Sequence, residues 1–170
     1  MALEILKYPH PTLKEVAEVV KKEEITDELR ATFAEMAELM HESAGVGLAA
    51  VQVGIKKRFF IMIDSLDTDE PKIVVAINPE IIESEGEIID EEGCLSFPEV
   101  SAKVKRAVKV KMKALNENGE EFELEKEGFL ARCIQHEIDH LNGITYFDHL
   151  GPLKRQMIEK KYKKLMKANA

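Results

Sequence analysis

Between residues 108 and 113 the chain alternates without a break: Val108, Val110 and Met112 are apolar, and Lys109, Lys111 and Lys113 are charged. Successive side chains of a strand point to opposite faces, so this period of two predicts a strand with one buried and one wet face. Asn118-Gly119 follows, a pair that readily adopts the left-handed turn of a tight hairpin. Phe122 and Leu124 carry the alternation onto a return strand. Gly128 then opens a helix that runs to about Leu141, where Asn142-Gly143 ends it.

The rest of the chain reads in the same way. Pro9 and Pro11 precede Leu13, Val16 and Val19, which predict a short helical turn. Thr26 or Asp27 can cap a helix in which Leu29, Phe33, Met36 and Met40 recur at helical spacing to about Glu42, with Gly45 and Gly47 breaking it. Residues 58–63 and 72–77 read as strands, Asn78-Pro79 as a turn, and residues 80–90 as a further strand or two. After a short extended piece at 144–147, Pro152 sits where a last helix can begin, with Leu153, Met157, Tyr162 and Leu165 as its apolar stripe. The expectation is an α+β fold: antiparallel β-sheets around a central helix, with a C-terminal helix, in a single domain spanning 1–170.

Charge is unevenly spread over the 170 residues. Residues 151–170 hold seven Lys or Arg against one Glu, a balance of +6, which leaves −14 on the remainder of a chain whose net charge is −8. The acidic body argues against broad nucleic-acid binding, and the basic final helix could meet phosphate or simply be a solvated face. Apolar runs such as 59–63 and 73–77 fall far short of the roughly 20 residues that span a bilayer, so no membrane partner is expected. Two cysteines make no disulfide framework, and residues 1–6 do not look like a signal peptide. Together these predict a cytoplasmic protein with both thiols reduced.

The chemistry concentrates in Gln135-His136-Glu137-Ile138-Asp139-His140. Residues four apart share a helix face, so His136 and His140 can offer two imidazoles to one cation, with the Glu137 carboxylate beside a water on it. The downstream third ligands of related metalloproteases are missing, since Tyr146 stands where a His would be and Glu159 lies among lysines. Cys94, in Glu92-Gly93-Cys94-Leu95-Ser96, is the better candidate: one thiolate and two imidazoles leave an open position and make a catalytic site. Two alternatives use the same helix. One is a zinc endopeptidase with a downstream ligand. The other is a closed structural zinc site in which Cys133 joins Cys94, His136 and His140.

Three segments together resemble the peptide deformylase family: Gly45-Val46-Gly47-Leu48-Ala49-Ala50-Val51-Gln52, Glu92-Gly93-Cys94-Leu95-Ser96, and Gln135-His136-Glu137-Ile138-Asp139-His140-Leu141-Asn142-Gly143. The likeness covers nearly the whole chain. It implies a substrate, the N-formyl-methionyl end of a new polypeptide, and a release of formate. It implies ferrous iron, with zinc or nickel able to replace it, where ligand chemistry alone would favour zinc. The resemblance assigns Cys94, His136 and His140 to the metal, Glu137 to proton transfer, and the Gln52 amide and Leu95 N–H to the oxyanion. Gly45 and Gly47 would let a peptide approach closely, and Val46, Phe129 and Cys133 would line the methionine pocket. Arg132, Asp90 and Ser101 depart from the pattern: some relatives have an apolar residue at 132 and an arginine at 101, and an aliphatic would suit the pocket rim at 90. The resemblance also suggests that the basic final helix contacts the ribosome.

Overall fold

A computed structural model describes residues 2–169. In chain order the elements are α1 (Asp27–Glu42), β1 (Gly47–Ala49), β2 (Phe59–Ile63), β3 (Ile73–Glu85), β4 (Ile88–Cys94), β5 (Phe97–Arg106), β6 (Lys109–Leu115), β7 (Glu121–Glu127), α2 (Phe129–Leu141) and α3 (Pro152–Ala168). Short 3-10 turns at Pro11–Lys14, Ala50–Val53 and Tyr146–His149 join them. One antiparallel sheet has the order β1-β2-β3-β6-β7, and β4 pairs with β5 in a second, two-stranded sheet.

From Lys109 on the alternation does what its period requires, while Val108 lies in the bend before β6 and is only partly buried. Val110, Met112 and Ala114 are buried, while Lys109, Lys111 and Lys113 face outward and pair across the hairpin with Glu125, Glu123 and Glu121. Strand β2 is apolar at every position because both its faces are covered. Phe60 and Met62 pack with Ala131, Ile134 and Leu141 of α2, and Phe59 and Ile61 pack with Phe33, Met36 and Met40 of α1. Thus α2 lies against one face of the large sheet and α1 against the other. A third cluster joins Phe97, Val100, Ala102 and Val104 of β5 to Tyr8, Tyr146, Phe147 and Tyr162, and this attaches α3 to the strand that follows Cys94.

Two local expectations are corrected. Asn78-Pro79 does not end a strand. β3 runs through it, absorbing the proline in an irregular register between Ile77 and Glu80, with Asn78 at φ +51°. The Asn78 side chain replaces the lost ladder bonds by exchanging two hydrogen bonds with the backbone of Val20. A proline is tolerated at a bulge for that reason. The stripe on α3 is also shifted: Leu153 and Met157 are 72% and 65% exposed, and Tyr162, with Ile158, Leu165 and Met166 beside it, makes the buried contact. Periodicity fixes the spacing of a stripe but not which of two overlapping stripes finds a partner. The short helical turn expected near Leu13 is present at Pro11–Lys14, and Val16 and Val19 beyond it are exposed.

The end of α2 is tied down firmly, which matters because two of the candidate ligands sit near it. The Leu141 carbonyl accepts bonds from the Ala17 N–H and from Arg58, and Arg58 also donates to the Asn142 side chain. Gly143 leaves the helix at φ +73°, and a Cβ there would meet the Lys14 carbonyl oxygen at 2.5 Å. Only glycine satisfies both conditions.

Candidate metal centre

Helix α2 places His136 and His140 one turn apart with both rings inward, and the turn after β4 brings Cys94 to them. The His140 Nε2 lies 3.3 Å from Cys94 Sγ and 3.2 Å from His136 Nε2. The three donor atoms lie within 4.8 Å of one another, and among the described residues no other Cys, His, Asp or Glu joins the group. Cys133, on the same helix, is outside it. Burial and the nearby Glu137 and Glu92 carboxylates push its thiol well up. The four-ligand closed site therefore finds no support in the geometry, and neither does a downstream ligand from α3, where Glu159 bonds Tyr8 and Lys163.

The donor set fits a cation. Two imidazole nitrogens and one sulfur suit zinc or iron, and three protein ligands leave room for a further one. His136 is oriented from behind: its Nδ1 meets the Glu92 carboxylate at 2.5 Å, which turns Nε2 towards Cys94 and His140. Arg106 holds that carboxylate through two bonds, Nε to Oε2 at 3.1 Å and Nη2 to Oε1 at 2.6 Å, and reaches Asp139 with Nη1. Burial alone would raise the Glu92 carboxyl, but the bonds from His136 and Arg106 outweigh it and hold it down at about 2. Glu137 has no such partner. Its Oε1 is buried without a hydrogen bond, and burial pushes its carboxyl up to about 7.

Glu92 and Arg106 were not singled out from sequence, although each left a signal. Residues two apart on a strand share a face, which puts Glu92 on the side of Cys94 save for the register shift between them. Arg106 falls at the end of the buried alternation Val100, Ala102, Val104, Arg106. An arginine in an apolar register needs a buried carboxylate.

A folded carboxylate held at about 2, against 4.5 for a free one, contributes stability that is complete above about pH 4.5 and is lost as pH falls towards 2. We therefore expect the destabilisation caused by Glu92→Gln, read as a difference in thermal midpoint, to be largest above pH 5. It should shrink steadily in more acidic buffers. A difference independent of pH would mean that the Glu92 charge is not what Arg106 and His136 stabilise.

In front of this centre opens a cavity of about 480 Å³. Gly45, Val46 and Gly47 form one wall, Cys94 and Leu95 another, and Phe129, Cys133, His136 and Glu137 the side made by α2. Gln52 reaches in from the 3-10 turn. Its Oε1 accepts the Ala49 N–H at 2.9 Å, which fixes the flip of the amide, and its Nε2 lies 3.1 Å from Ser96 Oγ and 3.6 Å from Cys94 Sγ. The structure thus gathers the sequence candidates on one cavity, with His140 fully buried behind it. Ala44 and Glu99, on the cavity wall, have φ of +56° and +67°, which is uncommon for residues with a Cβ.

Gly47 is a test of this packing. A Cβ on it would lie 2.7 Å from Cys133 Sγ and 2.9 Å from Glu137 Oε2. Gly47→Ala should displace the carboxylate by a fraction of an ångström to an ångström, and misplacement on that scale costs about 100-fold in rate. The expected result is a loss of turnover of that order with metal content unchanged. Near-normal turnover would mean that the Glu137 position is not critical.

Among the described residues no helix is long and apolar enough to cross a membrane. The model of the polypeptide deformylase family matches residues 2–156. A peptide deformylase of Thermodesulfovibrio yellowstonii is 47% identical over 161 residues, covering 95% of this chain and 96% of that protein. The crystal structure of a peptide deformylase from Legionella pneumophila superposes with a TM-score of 0.92 at 40% identity, over 99% of this chain and 98% of that one. A peptide deformylase from Synechococcus elongatus, solved in complex with actinonin, gives 0.86 at 37% identity, over 95% and 86% of the two chains. With this agreement over sequence, fold and length, the chain belongs to the polypeptide deformylase family.

Proposed function

We propose that this chain is a metal-dependent hydrolase that removes the formyl group from the N-terminal formyl-methionine of newly made polypeptides and releases formate. The observation that carries the reading is the convergence of Cys94 Sγ, His136 Nε2 and His140 Nε2 beside an unpartnered, buried Glu137 carboxylate. Cys94, His136 and His140 would hold the cation, with ferrous iron as the metal and zinc or nickel as substitutes. When bound, the cation supplies Lewis acidity, which makes a water nucleophilic near neutral pH and polarises the formyl oxygen.

The protein's own groups do the rest. Glu137 takes the proton of the attacking water and delivers it to the departing amine, a role suited to a carboxyl that burial has raised towards neutrality. The Gln52 amide, its orientation fixed by Ala49 N–H, and the Leu95 N–H donate to the oxyanion, and each such donor is worth about 3–4 kcal/mol of barrier. Gly45 and Gly47 admit the peptide backbone, and Val46, Phe129 and Cys133 receive the methionine side chain. The whole of 1–170 acts as one catalytic unit in the cytoplasm, consistent with two free cysteines. The lysine-rich α3 is the surface for a ribosome contact, which steep salt dependence of binding would reveal.

The reading is tested by anaerobic purification, metal analysis, and a formate assay on a formyl-Met tripeptide beside its acetylated counterpart. We expect about one metal per chain, formate from the first peptide, loss of turnover on chelation and recovery when metal is restored. Turnover that survives complete metal removal would overturn it.

A further inference from the structure

The cavity that faces the metal ligands has apolar walls at Val46, Leu95 and Phe129, carboxylates at Glu91, Glu92 and Glu99, and one arginine. Arg132, on α2 between Phe129 and Cys133, lines the same space as these two residues and Val46. Its side chain is only 14% exposed. The guanidinium lies over the Phe129 ring, 5.5 Å from its centroid, and Nη1 donates to Asp90 Oδ2 at 2.7 Å. That is the only side-chain hydrogen bond it makes among the described residues, so Nε and Nη2 have no protein acceptor. The same bond holds the Asp90 carboxyl below the usual carboxylate range.

An arginine has five donors in a rigid planar fork, and the contacts with Phe129 and Asp90 fix the plane of this one. A side chain lying against it is judged by whether it can accept a hydrogen bond. A methylene chain cannot, a thioether does so weakly, and a sulfoxide oxygen is a strong acceptor on a side chain of nearly the same length. Covering the free N–H groups with an apolar tip forfeits their water without replacement, whereas an acceptor tip restores a charge-assisted bond.

From this we infer that the first-residue pocket accepts side chains ending in a hydrogen-bond acceptor, and that formyl-methionine-sulfoxide termini are substrates alongside formyl-Met, with Arg132 as the specificity-determining residue. The inference rests on the deformylase reading. The chemistry is unchanged: water adds to the formyl carbon, the C–N bond breaks, and the amine leaves with a proton. The sulfur keeps its oxidation state, so no reductant is needed.

The test compares kcat/KM of the metal-loaded full-length protein on formyl-Met, formyl-norleucyl and formyl-methionine-sulfoxide versions of one tripeptide, the sulfoxide as separated epimers. One epimer should be hydrolysed within about tenfold of the Met peptide. Arg132→Leu should lower the sulfoxide-to-Met ratio by on the order of tenfold to a hundredfold, and Arg132→Lys should restore part of it. A ratio unmoved by Arg132→Leu would overturn the inference, as would a wild-type protein that hydrolyses the Met peptide but neither sulfoxide epimer. Should Arg132→Leu fail to fold, the wild-type series decides alone, with a preference between the epimers expected and equal hydrolysis of both counting against a fixed donor. No formate from the Met peptide would instead sink the underlying deformylase reading.

Discussion

Glu137→Gln is expected to bind its metal as the wild type does and to release formate about 100- to 10,000-fold more slowly, the span of rate that a positioned general base contributes. The substitution keeps the volume beside Gly47, where the Glu137 side chain already fills the space a Cβ would take. It removes the ability to take up a proton, and with it the charge, and puts an amide N–H2 in place of one oxygen. The site is built for that ability: Glu137 is 4% exposed, its Oε1 has no partner, and burial pushes the carboxyl up to about 7, where it can take and release a proton near neutral pH. The measurement is metal content by elemental analysis beside single-turnover formate release. Equal rates with equal metal would assign proton transfer to another group. Loss of metal together with rate would show that the carboxylate is needed for the centre itself.

Arg106→Met should be the most destabilising single change near the site, by up to about 3–5 kcal/mol, because it removes the cation shared by two largely buried carboxylates and leaves them only the imidazoles of His136 and His149. The Arg106 side chain is 4% exposed and fills the space between Glu92 and Asp139, which are 11% and 19% exposed. Methionine fills much of the same volume, so the loss measured by denaturant unfolding reports the charge and not a cavity. Function should suffer as well, since Glu92 is what turns His136 Nε2 towards Cys94, and metal affinity should fall about 10- to 100-fold. Arg106→Lys should recover only part of both, because a point charge cannot form the two-bond grip on Glu92. A stability loss under about 1 kcal/mol would mean that the carboxylates find other partners or take up protons.

Much of this molecule can be read from its sequence because backbone geometry imposes local periods. A period of two at 108–113 permits only a half-buried strand, and Asn118-Gly119 permits the turn that follows it. Histidines four apart on α2 must share a face, whatever surrounds them. These statements hold before any tertiary contact forms.

The remainder depended on which surfaces bury one another, and no local period encodes that. Cys94 lies 46 residues from His140 and meets it where the β4–β5 hairpin is held to α2 by the Glu92–His136 and Arg106–Asp139 bonds and to α3 by the aromatic cluster around Phe97. Pro79 continues a strand because the Asn78 side chain can reach Val20, 58 residues away. Which face of α3 is covered was settled by Tyr162 docking against Tyr8, leaving Leu153 and Met157 outside. Arg106 and Arg132 look alike in the sequence, yet one is shared between two carboxylates behind the metal ligands and the other has a single carboxylate and faces the substrate cavity. A charged side chain draws its role from the groups that replace its water, and those are chosen by the fold.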